Sequence, residues 1–197
     1  MKQADRVEHI ALERQGVVTT SQVSEAGIPR HVLASMVEKG RLTQLERGIY
    51  LLNGYWEDEF FTYSLKYKKG VFSHGSALYL HGLTDTAPER FTMTFPQGYN
   101  TISLSNSLLD VRRTALPLHM LGATELLTPS GNTVKTYIIE RTLCDILRGS
   151  EADDSDRARV AFQHYSSAQN RDIPQLMRYA QLLRVTNRVQ SYLKALL

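Results

Sequence analysis

One stretch of the chain, PRHVLASMVEKG at residues 29–40, repeats polar side chains at helical spacing. On a helix, one face would carry Arg30, His31, Ser35 and Lys39. Such side chains are hydrogen-bonding groups that can meet base edges in the major groove of DNA. The apolar residues Val32, Leu33, Met36 and Val37 follow the i, i+4 rule. The stretch therefore predicts a helix that buries one face in a small core and presents the other to a partner.

Two neighbouring segments could supply contacts to phosphates. A short helix before this stretch begins with Thr20, Ser21 and Gln22, and the positive end of a helix attracts anions. After the stretch, RLTQLERGIYLL alternates apolar and polar residues around a turn, which predicts a β-hairpin, or wing. Arg41 and Arg47 would place two guanidinium groups on this wing, beside the DNA backbone.

The local signals for helix ends fit this arrangement. Thr20 or Ser21 can cap the second helix, which ends at Gly27. Pro29, at a first helical position, begins the third helix, and Gly40 ends it. A first helix precedes both. Helix, capped short helix, turn, helix and hairpin in this order predict a winged helix-turn-helix.

Charge alone does not identify the partner of this predicted domain. The whole chain of 197 residues has a net charge of +3. Through residue 52, seven basic residues stand against six acidic ones, so the N-terminal part carries only +1. Glu25 and Glu38 lie near the predicted DNA face and favour the alternative of a winged helix that docks a protein. Both functions stay open at this level.

The remainder predicts an α+β protein with two domains. Residues 55–70 have the pattern of a connecting helix. VFSHGSALYLHGL, RFTMTFPQG, TISLS and TVKTYIIE then predict a mixed α/β region, and the chain from Glu140 onward predicts helices. We expect a winged helix-turn-helix at 1–54, the connection at 55–70, and a mixed α/β domain with a helical C-terminus at 71–197.

Signals for catalysis or metal binding are weak. His74 and His81 would lie two helical turns apart, about 10.5 Å, too far to share one zinc ion. Asp110, Glu125 and Lys135 resemble a nuclease set only loosely, so a DNA-processing enzyme is a minor alternative. There is no P-loop, Rossmann glycine pattern or nucleophile elbow. We expect no enzyme activity, no metal and no cofactor.

Cysteine content and hydropathy indicate in which cellular compartment the protein acts. The single cysteine, Cys144, lies at an apolar helical position and predicts a small buried hydrophobe instead of a reactive thiol. The N-terminal residues lack the apolar run of a secretory signal. No segment approaches the roughly 18 apolar residues of a membrane span. We expect a cytoplasmic protein without a membrane partner.

Basic residues recur in the second part of the chain. They are Lys66, Lys68, Lys69, Arg112, Arg113, Arg178, Arg184, Arg188 and Lys194. Ordinary solvated faces would explain them. The alternative is a second charged surface that meets nucleic acid or a protein.

Three segments together carry a family resemblance: GIPRHVLASMVEKGRLTQLERGIYLL, FSHGSALYLHGL and ERTLCDILRG. In this order the chain resembles the AbiEi family of abortive-infection antitoxins, which are transcriptional regulators. The resemblance implies a type IV toxin–antitoxin system with a nucleotidyltransferase-like toxin. It also implies repression of the protein's own operon through inverted repeats, and neutralisation of the toxin without a stable complex.

The resemblance also implies roles for particular residues. Repression belongs to the N-terminal domain, where Arg30, His31, Ser35 and Lys39 match the recognition helix and Arg41 and Arg47 match the wing. Neutralisation belongs to the C-terminal domain. Its polar positions are matched by Ser76, His81, Arg141 and Asp145, each of which could equally be structural. We expect a monomer in solution that pairs on operator DNA, since no heptad pattern argues for a stable dimer.

Overall fold

The computed structural model describes residues 2–101, 104, 108–148 and 155–196. They divide into two compact units. The first comprises Met1–Lys68 and Leu127–Val134, and the second comprises Lys69–Leu126 and Lys135–Leu197. Among the described residues, no helix is both long and apolar enough to cross a membrane.

The first unit is a winged helix-turn-helix followed by one more helix. Its elements are α1 (Gln3–Leu12), β1 (Val17–Thr19), α2 (Thr20–Glu25), α3 (His31–Glu38), β2 (Leu42–Glu46), β3 (Ile49–Leu52) and α4 (Glu59–Lys66). The three strands form an antiparallel sheet in the order β1-β3-β2. Apolar residues from α1, α2, α3 and the sheet share one core. The predicted fold of this region is confirmed.

The turns of the first unit depend on glycine where glycine is predicted. Gly27 and Gly40 have φ angles of +69° and +65°, a left-handed conformation that side chains with a Cβ rarely adopt. The Gly27 N–H donates to Ser24 O at 3.0 Å, and the Gly40 N–H donates to Val37 O at 2.9 Å. These turns end α2 and α3 and fix the direction in which α3 and the wing leave the core.

Two local predictions for the first unit are wrong, and one short strand was not predicted. Thr19, not Thr20 or Ser21, is the N-cap of α2. Pro29 lies outside α3, whose N-cap is Arg30, so the chain turns once more before the helix begins. Strand β1 is not predicted, because three residues are too few to show an alternating pattern.

Residues 127–134 return to the first unit through a buried carboxylate. Asp58 is the N-cap of α4 and accepts a hydrogen bond from the Phe61 N–H at 3.2 Å. Its other oxygen accepts hydrogen bonds from Thr128 Oγ1 at 2.5 Å and from Asn132 Nδ2 at 2.9 Å. The structure therefore groups α4, which the sequence predicts as a connection between domains, with the first unit.

The second unit is a mixed sheet packed with helices. Its elements, some reaching into 127–134, are β4 (Val71–Phe72), α5 (His74–Leu80), β5 (Phe91–Pro96), β6 (Leu109–Thr114), α6 (Leu116–His119), β7 (Ala123–Leu127), β8 (Thr133–Tyr137), α7 (Ile139–Asp145), α8 (Ser155–Ser167), α9 (Ile173–Leu182) and α10 (Thr186–Leu196). The sheet order is β6-β5-β4-β8-β7. β4 is antiparallel to β5 and parallel to β8, while β5 and β6 are parallel. The predicted α+β class with a helical C-terminus is confirmed.

The helices of the second unit enclose its largest apolar core. Leu143 and Cys144 of α7, Phe162 of α8, Leu176 of α9 and Val189 of α10 are fully buried there. The predicted strand TISLS lies mostly outside the described residues. On the side away from β4, β5 pairs with β6 in a parallel register from Phe91↔Leu109 to Pro96↔Thr114.

Candidate nucleic-acid interface

The first turn of α2 is held by a reciprocal cap. Thr19 Oγ1 accepts a hydrogen bond from the Gln22 N–H at 3.3 Å, and Gln22 Oε1 accepts one from the Thr19 N–H at 2.8 Å. Gln22, a predicted phosphate contact, thus has its side chain engaged in this capping box. Ser21 is exposed at the same helix end, and Thr20 is half-buried.

The wing closes onto this helix end. The Thr20 N–H donates to Gly48 O in the turn between β2 and β3, at 2.9 Å. A Cβ at Gly48 would lie 3.2 Å from Thr20 Oγ1, and the glycine has a φ of +80°, so the turn needs this residue. Arg47, next in the turn, is exposed. The turn that carries Arg47 is therefore joined through its backbone to the N-terminal residue of α2, the end of a helix that attracts anions.

Helix α3 presents the predicted polar face. Val32, Leu33 and Met36 are buried, and Val37 is half-buried, which confirms the apolar stripe. The other face carries Arg30, His31, Lys39 and Glu38, which are exposed, and Ser35, which is half-buried. Arg30 Nε donates to Ser24 Oγ of α2 at 3.3 Å, so the two helices of the motif are linked at the surface.

Arg41 does not share the setting of Arg47. It lies just before β2, and its Nε donates to Glu8 Oε1 of α1 at 2.9 Å. Its Nη2 lies 2.6 Å from the same carboxylate oxygen and 3.8 Å from Asp5 Oδ1. Two carboxylates of α1 thus compensate the charge of Arg41, which is predicted to lie on the wing. A phosphate contact by Arg41 would compete with these ion pairs.

Two of the predicted antitoxin residues hydrogen-bond the backbone of the second unit. Ser76 is fully buried, and its Oγ accepts a hydrogen bond from the Thr92 N–H of β5 at 2.8 Å. His81 Nε2 lies 2.7 Å from Tyr137 O, so this nitrogen carries the proton and donates it. Burial lowers the pKa of His81 below its usual value, with the Tyr137 carbonyl acting in the opposite direction.

The other two predicted antitoxin residues form a buried ion pair on α7. Arg141 Nε donates to Asp145 Oδ2 at 2.8 Å, and the two side chains are 1% and 3% exposed. Arg141 Nη1 also donates to Leu118 O and Leu121 O, each at 2.9 Å, and the guanidinium lies 4.4 Å from the ring centre of Tyr137. The pair therefore ties α7 to the α6–β7 connection.

The structure does not assemble the weak catalytic signals into a site. Asp110 and Glu125 lie on β6 and β7, the two opposite edges of the sheet, while Lys135 lies on β8. No group of three or more metal-binding side chains occurs within the part of the chain that the structure describes. Cys144 is fully buried, and burial raises the pKa of its thiol to about 12. A thiol of this kind is a poor nucleophile.

A family model matches only the N-terminal part of the chain, whereas a solved structure is similar to nearly all of it. Residues 5–53 match a family model described as a transcriptional regulator, AbiEi antitoxin. No curated protein matches the chain. Among solved structures, the chain is similar to the crystal structure of the RV2827C protein from Mycobacterium tuberculosis, with 18% identity and a TM-score of 0.57.

The structural likeness covers 98% of this chain and 80% of the mycobacterial chain. At this identity it concerns the fold alone, and it extends the α+β architecture over both units. The family match is confined to the segment that contains α1, α2, α3 and the wing. In this segment, the chain is similar to the AbiEi antitoxin family of transcriptional regulators, as the sequence resemblance predicts.

Proposed function

We propose that the first unit binds operator DNA with inverted repeats and that the protein thereby represses its own operon. The observation that carries this proposal is the geometry of α3. Its apolar stripe is buried, and its polar face lies in a segment that matches a family of transcriptional regulators. α3 enters the major groove, while Arg47 and the N-terminus of α2 contact phosphates.

We further propose that the protein is the antitoxin of a type IV system. The second unit neutralises a nucleotidyltransferase-like toxin without forming a stable complex with it. In the cell the protein acts in the cytoplasm as a monomer that pairs on its operator. The family match supports a regulator and antitoxin in general terms. Co-expression with the product of the neighbouring gene, read out as bacterial growth, tests the antitoxin role.

The DNA-binding proposal is tested by fluorescence anisotropy with the chain's own upstream region. We expect Arg30→Ala, at the start of the recognition helix, to lower affinity by about 1–3 kcal/mol if it contacts a base. Arg47→Ala should weaken binding to all sequences and lower the salt slope by about one. Arg178→Ala, an exposed arginine on α9, serves as the matched control and should bind like the wild type.

Glu38 supports one competing function. A carboxylate exposed on the recognition face repels phosphates, and this favours a protein-docking platform. Full affinity for DNA in both Arg30→Ala and Arg47→Ala would reject the assignment of α3 and the wing. If the wild type also failed to bind its upstream region, the docking platform would become the better function for the first unit.

A further inference from the structure

The outward face of α3 carries a carboxylate along its middle. His31, Ser35 and Glu38 are spaced i, i+4 and i+7, so their side chains form one stripe on the helix. His31 and Glu38 are exposed, and Ser35 is half-buried. The buried residues Leu33 and Met36 lie on the opposite side. A helix that packs Leu33 and Met36 into the core therefore presents Glu38 on the middle of the face that would meet DNA.

The helix is short enough for Glu38 to reach base edges. Its eight residues rise about 12 Å along the axis, and the major groove of DNA is about 12 Å wide. Ala34, exposed on the same side, has only a methyl group and does not hold the helix away from the bases. Both ends of α3 therefore fit within one groove, and Glu38, the last residue of the helix, is not left outside it.

Basic residues stand at the two ends of this stripe. Arg30 is the N-cap of α3 and Lys39 is its C-cap, and both side chains are exposed. Their positive charges offset the long-range repulsion between the Glu38 carboxylate and the DNA phosphates. The acidic residue therefore does not prevent α3 from approaching DNA.

The Glu38 carboxylate is available for a contact with a base. Within the part of the chain that the structure describes, it takes part in no ion pair or side-chain hydrogen bond. Arg41, three positions further along the chain, pairs with Glu8 instead. The helix dipole disfavours a carboxylate at the last residue of a helix, so helix stability does not account for Glu38. A carboxylate that enters the groove gives up water and needs a hydrogen-bond donor in exchange.

The edges of the four bases offer such a donor selectively. In the major groove, cytosine presents its N4 amino group, while guanine and thymine present acceptor atoms that would repel a carboxylate. Adenine presents its N6 amino group beside the acceptor N7, and a carboxylate can use only the first of these. Cytosine is therefore the base that matches the Glu38 carboxylate best.

We propose that Glu38 is a specificity-determining residue of the first unit and selects operators that have a cytosine at the base pair it faces. This inference rests on the operator binding by α3 proposed above, and it adds the identity of one base. Cytosine is accepted through a hydrogen bond, whereas guanine and thymine are rejected by repulsion between acceptors. An acidic residue on this helix is then a source of selectivity.

A set of altered operators tests the assignment. In the chain's own upstream duplex, each base pair of the bound half-site is replaced in turn by the other three, and affinity for the full chain is measured by fluorescence anisotropy. For the wild type, we expect a C·G pair to be preferred about tenfold or more at one position. Glu38→Ala should lose this preference at that position and keep the wild-type preferences elsewhere.

A second variant should change the preference instead of removing it. In Glu38→Gln, the amide both donates and accepts, and it can pair with N6 and N7 of adenine. This variant should therefore prefer an A·T pair at the same position. Only a folded protein can show a new preference, so this result separates a changed contact from lost folding. Glu13→Gln removes an exposed charge just after α1 and should keep every wild-type preference.

The inference is overturned if the wild type binds its upstream region but both Glu38 variants keep its base preferences at every position; operator binding would then stand without it. A wild type that prefers A·T at the position that depends on Glu38 would also overturn the assignment to cytosine. If the wild type bound none of the duplexes, operator binding itself would be rejected, and the role of Glu38 with it.

Discussion

At the scale of single residues, the second unit holds two histidines against main-chain carbonyls. His81 Nε2 lies 2.7 Å from Tyr137 O, and His119 Nε2 lies 3.2 Å from Thr94 O. Burial is the main cause that lowers the pKa of each imidazole, although the carbonyls favour the charged form. For His119 the backbone of Lys69 acts in the same direction as Thr94 O, yet burial outweighs the carbonyls at both residues, so the folded protein favours neutral histidine.

This arrangement predicts a loss of stability in acid. An unfolded chain protonates its histidines near pH 6.5, while the folded chain does so only at lower pH. The unfolded state therefore binds more protons as the pH falls below about 6.5, and the free energy of unfolding should decrease there. Urea unfolding between pH 7 and pH 5 measures the effect.

A His81→Gln variant isolates the contribution of His81 to this pH dependence, because the glutamine amide can still donate to Tyr137 O but does not titrate. Its unfolding free energy should vary less with pH than that of the wild type. His164→Gln, changed at an exposed position of α8, should keep the wild-type slope. Parallel curves for wild type and His81→Gln would contradict the role of His81.

At the scale of elements, the Arg141–Asp145 pair fastens α7 to the chain between α6 and β7. Its i, i+4 spacing is visible in the sequence, where such a pair on a helix surface would contribute only a few tenths of a kcal/mol. The structure buries both side chains and adds two carbonyl partners and the face of Tyr137. Burial of this kind needs the sheet and helices to be assembled, so local spacing alone does not reveal it.

We therefore predict that Arg141→Ala destabilises the protein by about 3–5 kcal/mol, because Asp145 would lose its main partner in the interior. Replacing both residues, as Arg141→Met with Asp145→Leu, should recover much of this loss. Chemical denaturation of the single and double variants measures both quantities. A double variant that is stable yet fails to protect cells from the toxin would give the pair a direct role in neutralisation.

Long-range packing in the second unit illustrates what sequence patterns leave out. The sequence shows that basic residues such as Arg112, Arg184 and Arg188 recur, but local patterns do not show which elements lie beside one another. The parallel pairing of β5 with β6 and the packing of the helices bring these elements together. Local signals, such as Gly27, Gly40 and the apolar stripe of α3, predict the winged helix better than the second unit. The reason is that residues in contact in the winged helix lie close together along the chain.

At the scale of the whole molecule, the first unit is assembled from two separate pieces of chain. Residues 127–134 join it through hydrogen bonds from Thr128 and Asn132 to the buried carboxylate of Asp58. The predicted limits 1–54, 55–70 and 71–197 stay predictions about domains, whereas the compact units divide the chain differently. Local sequence patterns cannot reveal partners that lie 70 and 74 positions away along the chain.

Asp58→Ala should therefore lower the free energy of unfolding by more than the loss of an exposed helix cap would. The change removes the N-cap of α4 and leaves the polar groups of Thr128 and Asn132 buried without this partner, so we expect a loss of about 2–4 kcal/mol. Glu59→Ala, at the first residue of α4, is the neighbouring control for helix charge and should lose less than about 1 kcal/mol. Denaturation midpoints compare the two variants.

The carboxylate of Asp58 also limits how the protein can be recombined. The family match stops at residue 53, so a graft limited to it would contain neither Asp58 nor α4. A graft extended through α4 would keep every residue proposed to contact DNA, but Asp58 would lose its partners Thr128 and Asn132. The DNA-binding specificity proposed for the first unit should therefore be transferred without a loss of stability only when the graft includes both Asp58 and residues 127–134.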